Sequence, residues 1–256
     1  MNSSLKNLVF AIGSVLLLSA PAFAHPEDGR VGVELESANS VQAGKIHLSF
    51  DLVDLVAKKL LTDQDVSVSR EMKIHGYVYD SALKEFKHVH PEYRDGVWGV
   101  DVELPVNGDY RFWASGVLAS DQEEFKGSVK LKVSGGLPAN LPTELSENRT
   151  GADGNSVIEV SVDPIQAKKP AMLMLMFSRN DKTTPVITPY LGAMAHVTTV
   201  PDDGDSLIHV HPMETDSKDL LMLHAEFPEA GNYRMWVQFI DGDSLKTVAL
   251  TVTVNE

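Results

Sequence analysis

The sequence contains no cysteine, which excludes disulfides, thiolate metal ligands, cysteine nucleophiles and a lipidated N-terminal cysteine, and leaves stability to packing. Basic residues are scarce as well: 22 lysines and arginines face 36 aspartates and glutamates, a formal net charge of −14. Nucleic acid is a poor partner for such a surface, which reads as a solvated face that serves solubility or, as the alternative, as a field that concentrates cations. Long apolar stretches are missing apart from the run Leu8 to Leu18, and that one is shorter than the roughly 20 residues a membrane-spanning helix needs. With Lys6 before it and Ser19-Ala20-Pro21-Ala22-Phe23-Ala24 after it, the run reads as a secretory signal peptide cleaved after Ala24. The expected location is the periplasm or the exterior, with no membrane span in the mature chain and His25 at its amino terminus. Cleavage removes Lys6 and no acid, taking the formal charge from −14 to −15.

What is present is a motif that occurs twice. His75, His88 and His90-Pro91 recur as His196, His209 and His211-Pro212, each copy spaced His-x12-His-x-His-Pro and displaced by 121 residues. Six of the nine histidines fall on it, and imidazole is a common ligand of zinc and copper. A second echo joins Glu103 to Trp113 with Glu226 to Trp236 at a displacement of 123, so two residues are inserted between the motifs. A unit of about a hundred residues is the size of a domain, not of a solenoid repeat. The division predicted is a signal peptide over 1–24, a first domain over 25–135, a linker over 136–155 rich in Gly, Pro, Asn and Ser, and a second domain over 156–256.

Lys45 to Phe50, Val97 to Leu104, Ser128 to Val133 and Val248 to Val254 alternate or run in β-branched residues and read as strands. Leu52, Leu55, Val56 and Leu60 recur at helical spacing and predict one short helix. The fold class expected is all-β: two tandem homologous immunoglobulin-like antiparallel β-sandwiches. Tyr110 and Tyr233, each within Gly-x-Tyr-Arg, suit a corner in which the tyrosine bonds back to upstream backbone.

Turn chemistry then sets a register. Asp203-Gly204 as a hairpin turn places His196 opposite His211, and the repeat places His75 opposite His90. Asp95-Gly96 places Asp101 opposite His90, and the repeat places His224 opposite His211. Each domain is predicted to present a row across three strands, His75, His90, Asp101 in one and His196, His211, His224 in the other, with His88 or His209 diagonal to it. Opposed Cβ atoms about 4.5 to 5.5 Å apart let such side chains converge on one ion with bonds of about 2.0 to 2.2 Å. The opposite face collects Val89, Trp98, Val100, Val102 and Leu104, and in the second domain Ile208, Val210, Leu221, Leu223 and Phe227. A one-residue slip would expose that apolar set and bury the histidines.

Met194, Met213 and Met222 are predicted on the second domain's histidine face; thioethers favour Cu(I), whereas imidazoles alone suit zinc or Cu(II). Met172, Met174 and Met176 alternate along one strand and read as adaptable core filler. His25, with amine and ring at a mature terminus, is a candidate copper chelate of histidine-brace type, with His47 as a possible partner. Phe86-Lys87-His88-Val89-His90-Pro91 followed by Gly108-Asp109-Tyr110-Arg111 resembles a signature of secreted bacterial β-sandwich proteins associated with heavy-metal or copper handling. The resemblance covers about forty residues per domain, with Leu207 in place of Phe86 in the second, and implies a metal-handling role without naming a reaction.

The leading expectation is a non-enzymatic extracytoplasmic protein that binds a copper or zinc ion as chaperone, buffer or resistance factor and exchanges it with a delivery or acceptor protein. Neutral imidazoles would capture the ion and release it on protonation below about pH 6. Two readings compete with it. One is a metal-dependent enzyme, a zinc hydrolase or cupin-like protein, for which Glu92 is the obvious base candidate. The other is a structural or adhesion module whose histidine faces pack together without metal.

Overall fold

The computed structural model describes residues 29–36, 38–208, 210–213, 215, 217 and 219–256. Its first half contains β1 (Val31–Leu35), β2 (Ser40–Gln42), β3 (Gly44–Asp54), β4 (Lys59–Leu60), β5 (Val66–Ser67), β6 (Ile74–Asp80), β7 (Phe86–Val89), β8 (Glu92–Arg94), β9 (Val97–Leu104), β10 (Gly108–Leu118) and β11 (Glu124–Ser134). The second half contains β12 (Thr150–Asp153), β13 (Ser156–Val162), β14 (Ile165–Gln166), β15 (Pro170–Arg179), β16 (Ile187–Thr188), β17 (His196–Pro201), β18 (Val210–Met213), β19 (Leu220–Glu226), β20 (Gly231–Asp241) and β21 (Ser244–Asn255).

Each half is an immunoglobulin-like sandwich. In the first, the sheet β1-β3-β9-β8 faces the sheet β2-β11-β10-β6-β7; in the second, β12-β13-β15-β19-β18 faces β14-β21-β20, on which β16 and β17 both pair with β20. Pairing is antiparallel except for β2 on β11 and β14 on β21, one parallel pair per sandwich. Strands covered on one side alternate as a half-solvated sheet requires: in β9 Trp98, Val100, Val102 and Leu104 are buried, and in β19 Leu221 and Leu223 are. Ile208, Val210 and Phe227 join them in the second core, so the apolar face read from the sequence is the core face. The tyrosine corner forms in both copies. Tyr110 Oη donates to Val106 O at 3.0 Å and Tyr233 Oη to Glu229 O at 2.8 Å.

The predicted helix over Leu52 to Leu61 does not form. β3 runs on to Asp54, whose carboxylate accepts from the backbone N–H groups of Val56 and Ala57 at 2.9 and 2.8 Å and is gripped by Arg30 at 3.0 Å. A side chain that captures those donors competes with helix formation, and Val56 and Leu60 are left exposed. Residues 135–149 link the sandwiches, and β12 begins inside the stretch read as linker. No helix among the described residues is long and apolar enough to cross a membrane, which says nothing of a β-barrel.

β6 departs from alternation. Ile74, Gly76 and Val78 are buried, but so are His75, Tyr79 and Asp80. The reason is that the outer face of its sheet is covered by the second sandwich: Tyr79, Leu83 and Trp113 pack with Val200, Leu207 and Trp236, and Leu145 of the connecting segment closes the cluster. The Tyr79 and Trp236 rings stack at 5.7 Å and those of Phe86 and Trp236 at 4.6 Å. Tyr79 Oη donates to Gly204 O at 2.8 Å and accepts from Trp113 Nε1 at 2.7 Å, while Arg111 pairs with Asp205 across the interface. Tyr79 and Val200 differ by the repeat displacement of 121, and Trp113 and Trp236 by 123, so equivalent surfaces of two homologous domains meet. Replacing Tyr79 by Phe strands a buried carbonyl and a buried indole N–H; urea denaturation is expected to show a loss of about 2 to 3 kcal/mol, and a loss under about 0.5 kcal/mol would mean the contact is dispensable.

Candidate metal centre

Both expected hairpin registers of the first domain are present. Gly76 faces Val89 and Tyr77 faces His88, which extends to His75 opposite His90, and Tyr93 faces Trp98 around a turn with Asp95 at φ 54° and Gly96 at φ 93°. The two hairpins, however, lie in different sheets. The chain leaves one sheet at His90-Pro91, where a residue with no N–H ends the ladder, and enters the other at Glu92. The predicted row is therefore cut between His90 and Asp101. Asp101 is corrected as a ligand: it faces His47 across β3 and β9, is 90% exposed and accepts from His47 Nδ1 at 2.7 Å.

The second domain breaks at the same place. Thr199 faces Ile208, as the Asp203-Gly204 turn requires, but Val210 to Met213 have crossed to the opposite sheet, where His211 faces His224 and Met213 faces Met222. Met194 is also corrected, since it packs on the second core and not on a histidine face. Met213 is exposed on the outer sheet. His25 and His209 lie outside the described residues.

Among the described residues, what comes together is one cluster between the domains. His75 from β6, His88 from β7 and His90 each offer a ring nitrogen, all within 4.8 Å of one another. His196 from β17 joins from the second domain, its ring stacked on His75 at 5.8 Å and lying 5.3 Å from His88. His75 and His196 are buried instead of facing solvent, because the domain interface closes over them.

Hydrogen bonds fix the rings. His75 Nε2 donates to Ser69 O at 3.1 Å, and His196 Nε2 donates to Tyr190 O at 2.9 Å. These acceptors are themselves repeat mates: Ser69 and Met72 bridge a turn with Arg70 at φ 49° and Glu71 at φ 68°, and Tyr190 and Ala193 bridge one with Leu191 at φ 48° and Gly192 at φ 69°. Two successive left-handed residues define a type I′ turn, and Gly192 sits against the Glu71 side chain. His88 Nδ1 donates to Gln238 Oε1 at 2.9 Å, and that amide is oriented by donating from Nε2 to Thr247 at 3.2 Å.

With those protons committed outward, His75 Nδ1 and His88 Nε2 turn unprotonated lone pairs toward each other across 3.2 Å. His90 Nε2 is buried with no hydrogen-bond partner. Burial lowers the pKa of all four rings: His90 and His196 are pushed down to about 4, and His88, next to His90, is held well below 6.5. A cleft between the domains bordered by Ser69, Arg70, Lys126 and Leu207 leads to His75 and His196, and a depression bordered by His47, Glu92, Gly99 and Asp101 leads to His90.

The three fixing acceptors are invisible in the motif. Ser69 and Tyr190 act through backbone oxygen, which has no sequence signature, and Gln238 stands where the repeat has Ser115 in the first domain.

A domain of unknown function, DUF8832, matches residues 150–256, the second sandwich. No curated protein matches the chain. Among solved structures it is similar to the fibronectin(III)-like modules of CbhA from Clostridium thermocellum (13% identity, 87% of this chain and 94% of that one, TM-score 0.25) and to titin Ig tandem domains A164-A165 (13%, 88% and 96%, 0.22). The Escherichia coli adhesin FdeC is 10% identical over 93% of this chain and 67% of that one, with a TM-score of 0.26.

Proposed function

We propose that this protein is a periplasmic or secreted metal-binding protein that holds one divalent ion of the zinc type between its two domains, on His75, His88, His90 and His196. One observation carries the reading. His75 Nδ1 and His88 Nε2 stand 3.2 Å apart with His90 beside them, and with the N–H groups engaged at Ser69 and Gln238 both nitrogens present lone pairs that a cation between them would bind. A set of imidazoles with no thiolate or thioether among them suits zinc, with Cu(II) as the alternative.

The outward bonds to Ser69 O, Gln238 Oε1 and Tyr190 O are the second contacts that ligating imidazoles use to fix tautomer and orientation. Three imidazoles converge within ligand reach of one another and His196 stands beside them to close a tetrahedral set on binding, the position that a hydrolase would keep for water. Glu92, the base candidate of an enzymatic reading, pairs with Arg94 at the surface and stays 63% exposed. A neutral ligand set with no thiolate suits a site that exchanges its ion with a delivery or acceptor protein. The histidines still join the two domains, as the structural reading expects, and a bound ion would reinforce that junction.

Calorimetric titration of the metal-free protein with Zn2+ is expected to give one ion per chain, and His88→Gln or His90→Gln to weaken binding at least about 100-fold. Gln238→Leu, which removes an orienting contact only, is expected to cost about 10 to 100-fold, while His47→Gln leaves affinity unchanged. Binding no tighter than millimolar, or two independent ions on the histidines, contradicts the reading.

Release by acid is displaced from the pH 6 of an exposed imidazole. For the metal-free protein the sign is fixed by burial: His90 and His196 titrate near 4 when folded and near 6.5 when unfolded, so the unfolded chain binds more protons between those values. Their contribution is complete above about pH 6.5 and lost as pH falls toward 4, on the order of 2 kcal/mol per ring after solvent screening. The melting temperature of the metal-free protein is expected to drop over that window, and His90→Gln to flatten the drop; an unchanged profile would show that the rings are not desolvated.

A further inference from the structure

The methionine stripe read as core filler lies on the surface. In β15, Ala171, Leu173, Leu175 and Phe177 are buried, while Met172, Met174 and Met176 are 40%, 39% and 36% exposed. Across the sheet Met172 faces His224 and Met174 faces Met222 in β19, and Met222 faces Met213 in edge strand β18, itself 46% exposed. Five of the nine methionines in the chain thus share one outer face with a histidine, three strands wide. This sheet is the one opposite β17 and β20 in the second sandwich, so the patch is separate from the interdomain cluster.

We propose that this face is a second metal site, for a soft monovalent ion, Cu(I) or Ag(I), held by the thioethers of Met174, Met222 and Met213 with the imidazole of His224. Paired positions bring Cβ atoms to about 4.5 to 5.5 Å and diagonal ones to about 7 to 8 Å, spans that unbranched methionine side chains close readily. Thioether sulfur is a neutral, polarizable ligand with no proton to lose, and it selects Cu(I) over zinc. Exposed strand positions are ordinarily β-branched or charged, since methionine offers neither strand propensity nor solubility. Row after row of it on a solvated sheet points to the sulfur. Glu159, opposite Met176 at the border of the patch, adds a charge that favours a cation.

The test loads the full protein with Zn2+ first, so that the histidine cluster is occupied, and then titrates Ag+ as a redox-inert probe, with native mass spectrometry for stoichiometry and calorimetry for affinity. The expected result is one Ag+ beyond the zinc, weakened at least about 100-fold in the Met174→Leu/Met222→Leu double variant, with zinc binding unchanged. Leucine keeps the size and apolarity of the face, so a surface that serves only for packing or docking would behave alike in both proteins. Equal Ag+ affinity in the variant, or no Ag+ beyond the zinc, overturns the proposal; because zinc is measured in the same sample, that failure is distinguishable from failure of the interdomain site.

Discussion

Burial of the outer face of one sheet of each sandwich by the other is the constraint from which the candidate centre follows. Without the packing of Tyr79, Leu83 and Trp113 on Val200, Leu207 and Trp236, His75 and His88 would be solvated neighbours on an open sheet. With it, they lose water, lose basicity and acquire a fourth imidazole from the other domain. Desolvation opposes a proton on each of these rings, helped by the neighbouring rings at His88, His90 and His196 and by Arg70 at His75. Neutral, desolvated imidazoles, three of them with N–H groups held at Ser69, Gln238 and Tyr190, are in the state from which the proposed ligation needs no prior loss of a proton.

Duplication explains both the resemblance and the difference between the domains. Repeat mates occupy equivalent places in the fold at the tyrosine corners, the type I′ turns that bind His75 and His196, and the aromatic interface. The histidine motif itself divides its labour. The first copy contributes His75, His88 and His90 to the interface, and the second contributes His196 there while His211 pairs with His224 on the outer sheet. Among the described residues the two domains thus share one histidine cluster.

The legible part of this in the sequence was the local part. Alternation located the core faces, Asp95-Gly96 and Asp203-Gly204 fixed hairpin registers, and the spacing of the motif singled out the histidines that meet. The chain crossing between sheets at His90-Pro91 was not legible, because a register continues arithmetically through a proline while the backbone does not; Asp101 was misplaced for that reason. The helix over Leu52 to Leu61 failed because periodicity is blind to a side chain such as Asp54 that claims the backbone donors first. Alternating Leu and Met look apolar on both faces, so the Met172 stripe reads as core from the sequence, and only the position of the sheet tells which face is covered.

The most direct test of the central claim is anomalous diffraction from crystals of the zinc-loaded protein, collected on both sides of the zinc absorption edge. The expected result is a single strong peak between the domains, bonded to His75, His88 and His90 of one and His196 of the other. A peak elsewhere, or an interface in which the four rings surround no ion, would contradict it.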